Sequence, residues 1–177
     1  GALVKKGGAQ AIKLEGGSNR IPAIHAILDA EIPVMGHLGL TPQSVNKLGG
    51  YKVQGKSPAT ARKMMDEALH LQDAGIFALV LECVPAALAA EITAKLEIPT
   101  IGIGAGAGCD GQVLVWHDLL GLTPHAPKFV RKFADLRPEI LRALTAYREA
   151  VKSGAFPSPA ESYSAPATAA ATAEYER

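Results

Sequence analysis

The chain has 177 residues, 48% of them hydrophobic and 20% charged, with a net charge of +1. Those are the values of a soluble globular protein with room for one sizeable core. Without a basic stripe or aromatic-basic interleaving they argue against nonspecific nucleic-acid binding, and no apolar run approaches a membrane span or opens the chain as a signal peptide.

Taken in order, the pattern is βαβα. The opening GALVKKGG reads as the tail of a helix stopped by Gly7 and Gly8, and a start at Gly1 inside such a tail predicts missing sequence upstream. Ala9–Glu15 form the first predicted strand, with Lys13 and Glu15 on one face. Ser18 or Asn19 is the expected cap of a helix carrying Ile21, Ile24, Ile27 and Leu28, with His25 as an ordinary helix histidine. Ile32–Leu40 make a second strand in which Met35 and His37 share a face. The long connection TPQSVNKLGGYKVQGKS follows, and its length favours a binding or lid segment over a spacer, closing over substrate through Gly49–Gly55.

Ser57 and Pro58 open the next helix in the order cap then proline, with Met64, Met65, Ala68, Leu69 and Gln72 on its inner face and Gly75 as its stop. Its methionines read as packing and His70 as structural. A third strand, LVLECVP, leads into a helix from about Pro85 to Lys95 with Leu88, Ile92 and Leu96 inward, and Thr100–Gly104 form a fourth strand. Val113–Trp116 are a fifth strand or part of a helix, which periodicity alone does not decide. Arg137–Lys152 read as a closing helix, with Leu141, Leu144, Tyr147 and Val151 inward and Gly154 after it. The fold class is α/β, with parallel strands covered by helices, in a catalytic portion spanning residues 1–156. Residues 157–177, rich in Ala, Ser, Pro and Thr, read as a flexible tail.

In such folds ligands bind at the carboxyl ends of the strands. Those ends carry Lys13, Glu15, His37, Glu82 and the glycines from Gly102 to Gly111. A cation, two acids and an imidazole suit a small anionic substrate: the lysine meets its charge, while the carboxylates hold a hard divalent cation or move a proton. Glu15 does either job or pairs with Lys13, whereas the apolar flanks of Glu82 favour it as the base. GIGAGAGCDG has the glycine content of a phosphate cradle but not the spacing or lysine of a P-loop, and its glycines equally suit a tight turn or close backbone approach. Cys83 and Cys109 share no metal-type spacing, so reduced thiols in a cytoplasmic protein are expected, with Cys83 a small buried hydrophobe before it is a nucleophile. His117 and His125 read as surface or packing residues.

KLEGG at Lys13–Gly17, GHLGLTPQSVN at Gly36–Asn46, GGYKVQGK at Gly49–Lys56, LECVP at Leu81–Pro85, and IGIGAG at Ile101–Gly106 followed by DGQVLVWHDLLG resemble ketopantoate hydroxymethyltransferase. The likeness runs from about Ala2 to Phe156. It implies a (β/α)8 barrel that transfers a hydroxymethyl group from 5,10-methylenetetrahydrofolate to 3-methyl-2-oxobutanoate, giving ketopantoate in pantothenate biosynthesis. It further implies Mg2+ or another divalent cation as cofactor and a large homo-oligomer, a decamer by resemblance. Carried over by motif, Glu82 is the catalytic base, Lys13 and His37 bind substrate, and Glu15 is a metal ligand.

In the family, three strands bearing two further metal-site aspartates and a substrate-binding serine precede KLEGG. This chain therefore reads as the last five or so of the eight βα units, with open edges and little activity by itself. A noncatalytic fragment that keeps ligand or subunit contacts, and an aldolase using Lys13 as a Schiff-base nucleophile, are the competing readings.

Overall fold

A computed structural model describes residues 1–44, 50 and 52–164. Its centre is a five-stranded sheet of β1 (Ile12–Glu15), β2 (Val34–Gly39), β3 (Ala78–Glu82), β4 (Thr100–Ile103) and β5 (Gly111–Gln112). Every neighbouring pair is parallel, and the order in space is the order in sequence. Helix α1 (Ala2–Lys5) precedes β1; α2 (Ile21–Leu28), α3 (Pro58–Asp73) and α4 (Ala86–Lys95) supply the first three crossovers. The α/β alternation expected from the pattern is therefore present.

The strand alternation splits the sheet into two unlike faces. Leu14, Val34, Leu38, Leu79 and Leu81 point to one side and form a single core with Ile24 of α2, Met64, Met65, Ala68 and Leu71 of α3, and Leu88, Ala89 and Ile92 of α4. The other side carries Lys13, Met35 and Ala78 in one row, Glu15, His37, Val80 and Ile101 in the next, and Glu82 and Ile103 above them. Helix packing thus fixes one face, and the ionisable strand-end residues occupy the other.

Helix α3 begins as its sequence dictates. The Ser57 hydroxyl accepts from the Thr60 amide at 3.2 Å, and the Thr60 hydroxyl accepts from the Ser57 amide at 3.0 Å, closing a capping box ahead of Pro58. Its buried stripe includes Leu71, while Leu69 is half-buried and Gln72 turns outward to accept the Glu97 amide at 2.7 Å. Three expectations need correction. Helix α2 is preceded by a 3-10 turn, Ser18–Arg20, and has no side-chain cap, because the Ser18 hydroxyl bonds His70 Nδ1 at 3.2 Å instead.

The fifth strand lies at Gly111–Gln112, not Val113–Trp116. The Asp110 carboxylate accepts from the Thr100 amide at 2.8 Å and from its hydroxyl at 3.1 Å, which pins the chain beside β4 and brings residues 111–112 into pairing. Trp116 already opens a short helix, α5 (Trp116–Leu119).

The chain divides into two compact units, the sheet unit (Gly1–Trp116 with Pro127–Arg131) and a second unit made of His117–Ala126 and the described residues from Lys132. The second is built on α6 (Leu136–Ser153), ended by Gly154 in the left-handed region. The residues expected to face inward are exposed, Leu144 by 59% and Tyr147 by 58%. Tyr147 meets the Phe156 ring edge-on at 5.5 Å, and no residue of α6 is buried. A 3-10 turn at Pro159–Glu161 follows, closed by the Ser158 and Glu161 side chains. Residues 165–177 of the expected tail lie outside the described residues. No described helix is long and apolar enough to cross a membrane.

Candidate active site at the strand ends

Parallel register brings the expected residues together. Glu15 and His37 are direct partners across β1 and β2, Lys13 lies two residues before Glu15 on the same face, and Glu82 ends the neighbouring β3. His37 is the centre. It is 1% exposed, with Nδ1 3.8 Å from Glu15 Oε1 and Nε2 3.2 Å from Glu82 Oε2. The shorter contact lies within reach of an ion pair but off the ring N–H direction, so neither nitrogen has an aligned hydrogen bond among the described residues. The imidazole therefore separates two carboxylates that are themselves mostly covered, their side chains 11% and 17% exposed.

The main chain of both acids is tied down, and the Glu15 carboxylate also takes a backbone donor. Glu15 Oε2 accepts from the Gln43 amide at 3.1 Å, and the Glu15 carbonyl accepts from Arg20 Nε at 3.0 Å. The Glu82 carbonyl accepts from the Leu40 amide at 2.8 Å, and the next amide, Cys83, donates to the Ile103 carbonyl at 2.9 Å. Cys83 itself sits at φ 50, in the left-handed region that costs a non-glycine residue about 1–2 kcal/mol. Its thiol is pushed up from its ordinary value, first by burial and then by the neighbouring Glu82 charge. A thiol kept protonated in this way is a poor nucleophile, as its apolar neighbours suggest.

Gly39, paired with Glu82, is at φ 94, and a Cβ there would lie 2.1 Å from the Glu82 carbonyl oxygen. Glycine is thus what lets β2 pass this close to the strand end bearing Glu82.

Lys13 is exposed and pairs with no carboxylate among the described residues, so the alternative that it simply neutralises Glu15 does not occur here. Of the long connection, residues 45–49 and 51 lie outside the described residues, and with them Gly49 and Tyr51 of the segment expected to close over substrate. Its described ends are tied to the site: Gln43 to Glu15, and the Gln54 amide to the Cys83 carbonyl at 2.9 Å. These are backbone donors, so no side-chain pattern could have revealed them. Arg20 acts by side chain, and its place five residues after Glu15 was a readable but undistinguished signal.

The glycine run resolves towards close approach. A Cβ on Gly106 would fall 2.4 Å from Ala86 Cβ, one on Gly108 2.7 Å from Ala90 Cβ, and one on Gly104 2.7 Å from the Phe129 ring. Those glycines seat the loop against the start of α4 and against Phe129. His25 is exposed, and His70 is the partner of Ser18.

A divalent cation is the remaining question. Among the described residues, no group of three or more His, Cys, Asp and Glu side chains converges as a cage. Glu15 offers a single carboxylate, whereas Mg2+ demands an octahedral oxygen set. The residues present do not by themselves fit a complete metal site.

Comparison with known proteins places the chain. The family model for ketopantoate hydroxymethyltransferase matches residues 1–159. Proteins called 3-methyl-2-oxobutanoate hydroxymethyltransferase are similar throughout: that of Carboxydothermus hydrogenoformans is 58% identical over 164 residues, covering 92% of this chain and 59% of its own length. That of Moorella thermoacetica is 57% identical over 164 residues, with 92% and 61% covered. That of Koribacter versatilis is 56% identical over 173 residues, with 97% and 59% covered. The chain spans about three fifths of the length of these curated relatives.

Proposed function

The chain belongs to the ketopantoate hydroxymethyltransferase family, and from that membership we propose that it carries the enolising half of a 3-methyl-2-oxobutanoate hydroxymethyltransferase. The observation behind this reading is the buried His37 between Glu15 and Glu82, with an unpaired lysine on the same face.

In this reading the Lys13 ammonium meets the carboxylate of the 2-oxo acid. Glu82 takes the proton from C3, and the electron pair of that C–H bond moves towards the carbonyl to give the enolate. His37, packed against Glu82 Oε2, holds the base in place and supplies a polar edge to the substrate. The enolate carbon then bonds to the one-carbon unit of 5,10-methylenetetrahydrofolate as the two C–N bonds to that carbon break in turn. Water supplies the hydroxyl, and the folate nitrogens keep the electron pairs and take up the protons as tetrahydrofolate leaves. A divalent cation such as Mg2+ would take Glu15 as one ligand and its other donors from outside the described residues.

The same proposal includes a (β/α)8 barrel, supported by strand order that follows sequence order and by helices gathered on one face. A cytoplasmic homo-oligomer, decameric by family resemblance, completes it. The aldolase alternative lacks support: Lys13 is exposed, without the hydrophobic burial that activates Schiff-base lysines. Borohydride trapping with the oxo acid is expected to label nothing.

The test is deuterium exchange at C3 of 3-methyl-2-oxobutanoate without folate, for this chain and its Glu82→Gln variant. Loss of a general base is expected to slow exchange by about 10²–10⁴-fold. Equal rates in the two proteins would remove Glu82 from the chemistry. No exchange from either folded protein would leave the fragment reading, to be checked by adding the remaining portion of a relative.

A further inference from the structure

The geometry points to a second ligand site on the helix side of the sheet, one that takes a small hydroxylated molecule bearing a phosphate or carboxylate group. It stands on geometry alone and does not depend on the proposed enolisation. A cavity of about 540 Å3 lies between the β1–α2 turn, the end of β2 and the first half of α3, a volume suited to a small ligand. Leu38 forms part of its wall, and Leu38 points away from the face that carries His37. None of Lys13, Glu15, His37 or Glu82 lines it.

Its polar groups are of complementary kinds. Arg20 and Lys63 contribute two cations. Arg20 spends its Nε on the Glu15 carbonyl, and neither residue pairs with a carboxylate among the described residues. Thr41 is 7% exposed and adds a hydroxyl to the cavity wall. Two cations without carboxylate partners among the described residues, lining one cavity with a hydroxyl, suit an oxyanion, and the arginine N–H groups not spent on Glu15 can donate to it.

Glu67 gives the site its second requirement. A Cβ on Gly17 would fall 2.4 Å from Glu67 Cδ, so the bare backbone there makes room for this carboxylate, which has no cation partner among the described residues. An acid at the rim of an anion site repels a bare dianion and accepts from a hydroxyl or amide N–H. The occupant is therefore a hydroxy acid or a phosphorylated alcohol rather than a polyanion. Its position matters to the neighbouring strand ends. Gly39, Thr41 and Gln54 all line the cavity, and Leu40 and Gln54 hold the Glu82 and Cys83 carbonyls.

The experiment is a titration of the intact chain by amide NMR, with inorganic phosphate and with acetate in separate arms at constant ionic strength. Saturable shifts are expected at Arg20, Thr41, Gln54 and Lys63, together with slower hydrogen exchange at the Leu40 and Gln54 amides. Saturation by phosphate alone assigns a phosphate ligand, and saturation by acetate alone assigns a carboxylate. Lys63→Gln should weaken binding about tenfold, the loss of one charge-assisted contact. Glu67→Gln should tighten it, a change of sign that a merely structural role would not produce. Lys63 is exposed, so its variant is informative even where Thr41→Val fails to fold. Shifts that never saturate, or binding indifferent to both Lys63→Gln and Glu67→Gln, would overturn the site.

Discussion

Replacing Gly39 with alanine should test how the sheet holds Glu82. The residue sits at φ 94, where an L side chain costs about 1–2 kcal/mol. Its new Cβ would lie 2.1 Å from the Glu82 carbonyl oxygen and 2.8 Å from Val84 Cγ2. The first of these is backbone, so rotation of a side chain cannot relieve it. Relief requires β2 and β3 to part at their ends, which stretches the 2.8 Å hydrogen bond from the Leu40 amide to that carbonyl. Losing it costs about 1 kcal/mol, and overpacking adds about 1–3. Gly39→Ala is thus expected to lose about 3–6 kcal/mol, a large share of the stability of an ordinary domain. Gly8→Ala is the control, since Gly8 is at φ 68 with no atom within 4 Å of the added Cβ, and only the backbone cost of about 1–2 kcal/mol remains. Urea unfolding followed by far-UV circular dichroism measures both. Equal losses would refute the claim that contact with the Glu82 carbonyl, rather than backbone conformation alone, makes glycine necessary.

Two further outcomes follow from the clamp beside β4. Thr100 is fully buried, and its hydroxyl bonds both Asp110 and Thr93; Thr100→Val should cost about 1–3 kcal/mol in the same unfolding assay and loosen residues 104–112 to hydrogen exchange. The Asp110 carboxyl is held below its ordinary range, first by the Thr100 amide and then by its hydroxyl. A depressed carboxylate stabilises above its unfolded pKa and loses that contribution as pH falls through the folded value. Wild-type stability should therefore decline below about pH 4, and Asp110→Asn should flatten that decline; an unchanged acid limb in melts across this range would contradict the assignment.

What the sequence made legible is what strand periodicity controls. Lys13, Glu15, His37 and Glu82 were readable as one cluster because parallel strands in sequential order put their carboxyl ends side by side, and the apolar residues of the opposite face already marked the helix side. Illegible features were those decided by backbone donors or by contacts distant in sequence. Nothing about Gln43 announces that its amide reaches a carboxylate 28 positions earlier. Whether Val113–Trp116 form a strand or a helix is not legible from periodicity, because the position of the fifth strand is decided by the Asp110 carboxylate, whose bonds to Thr100 pin residues 111–112 beside β4. Helix α6 was misjudged for a different reason: its apolar stripe was read correctly as a stripe, but a stripe specifies a need for cover without specifying where the cover lies.

The same distinction bears on the active face. Parallel sheets are normally covered on both sides, and α2, α3 and α4 cover the Leu79 and Leu81 side. On the other, Met35, Ile101 and Ile103 remain half-exposed beside Lys13, while His37 and the two acids are already recessed. Enolate formation draws its largest help from fixed polar groups in a water-poor site. In the His37 row, the Glu15 carboxylate meets the first requirement through its bond from the Gln43 amide. The second requires cover over Met35 and the two isoleucines. On the proposed reading, holding Glu82 and excluding water are separable requirements, and C3 exchange without folate tests the first of them alone.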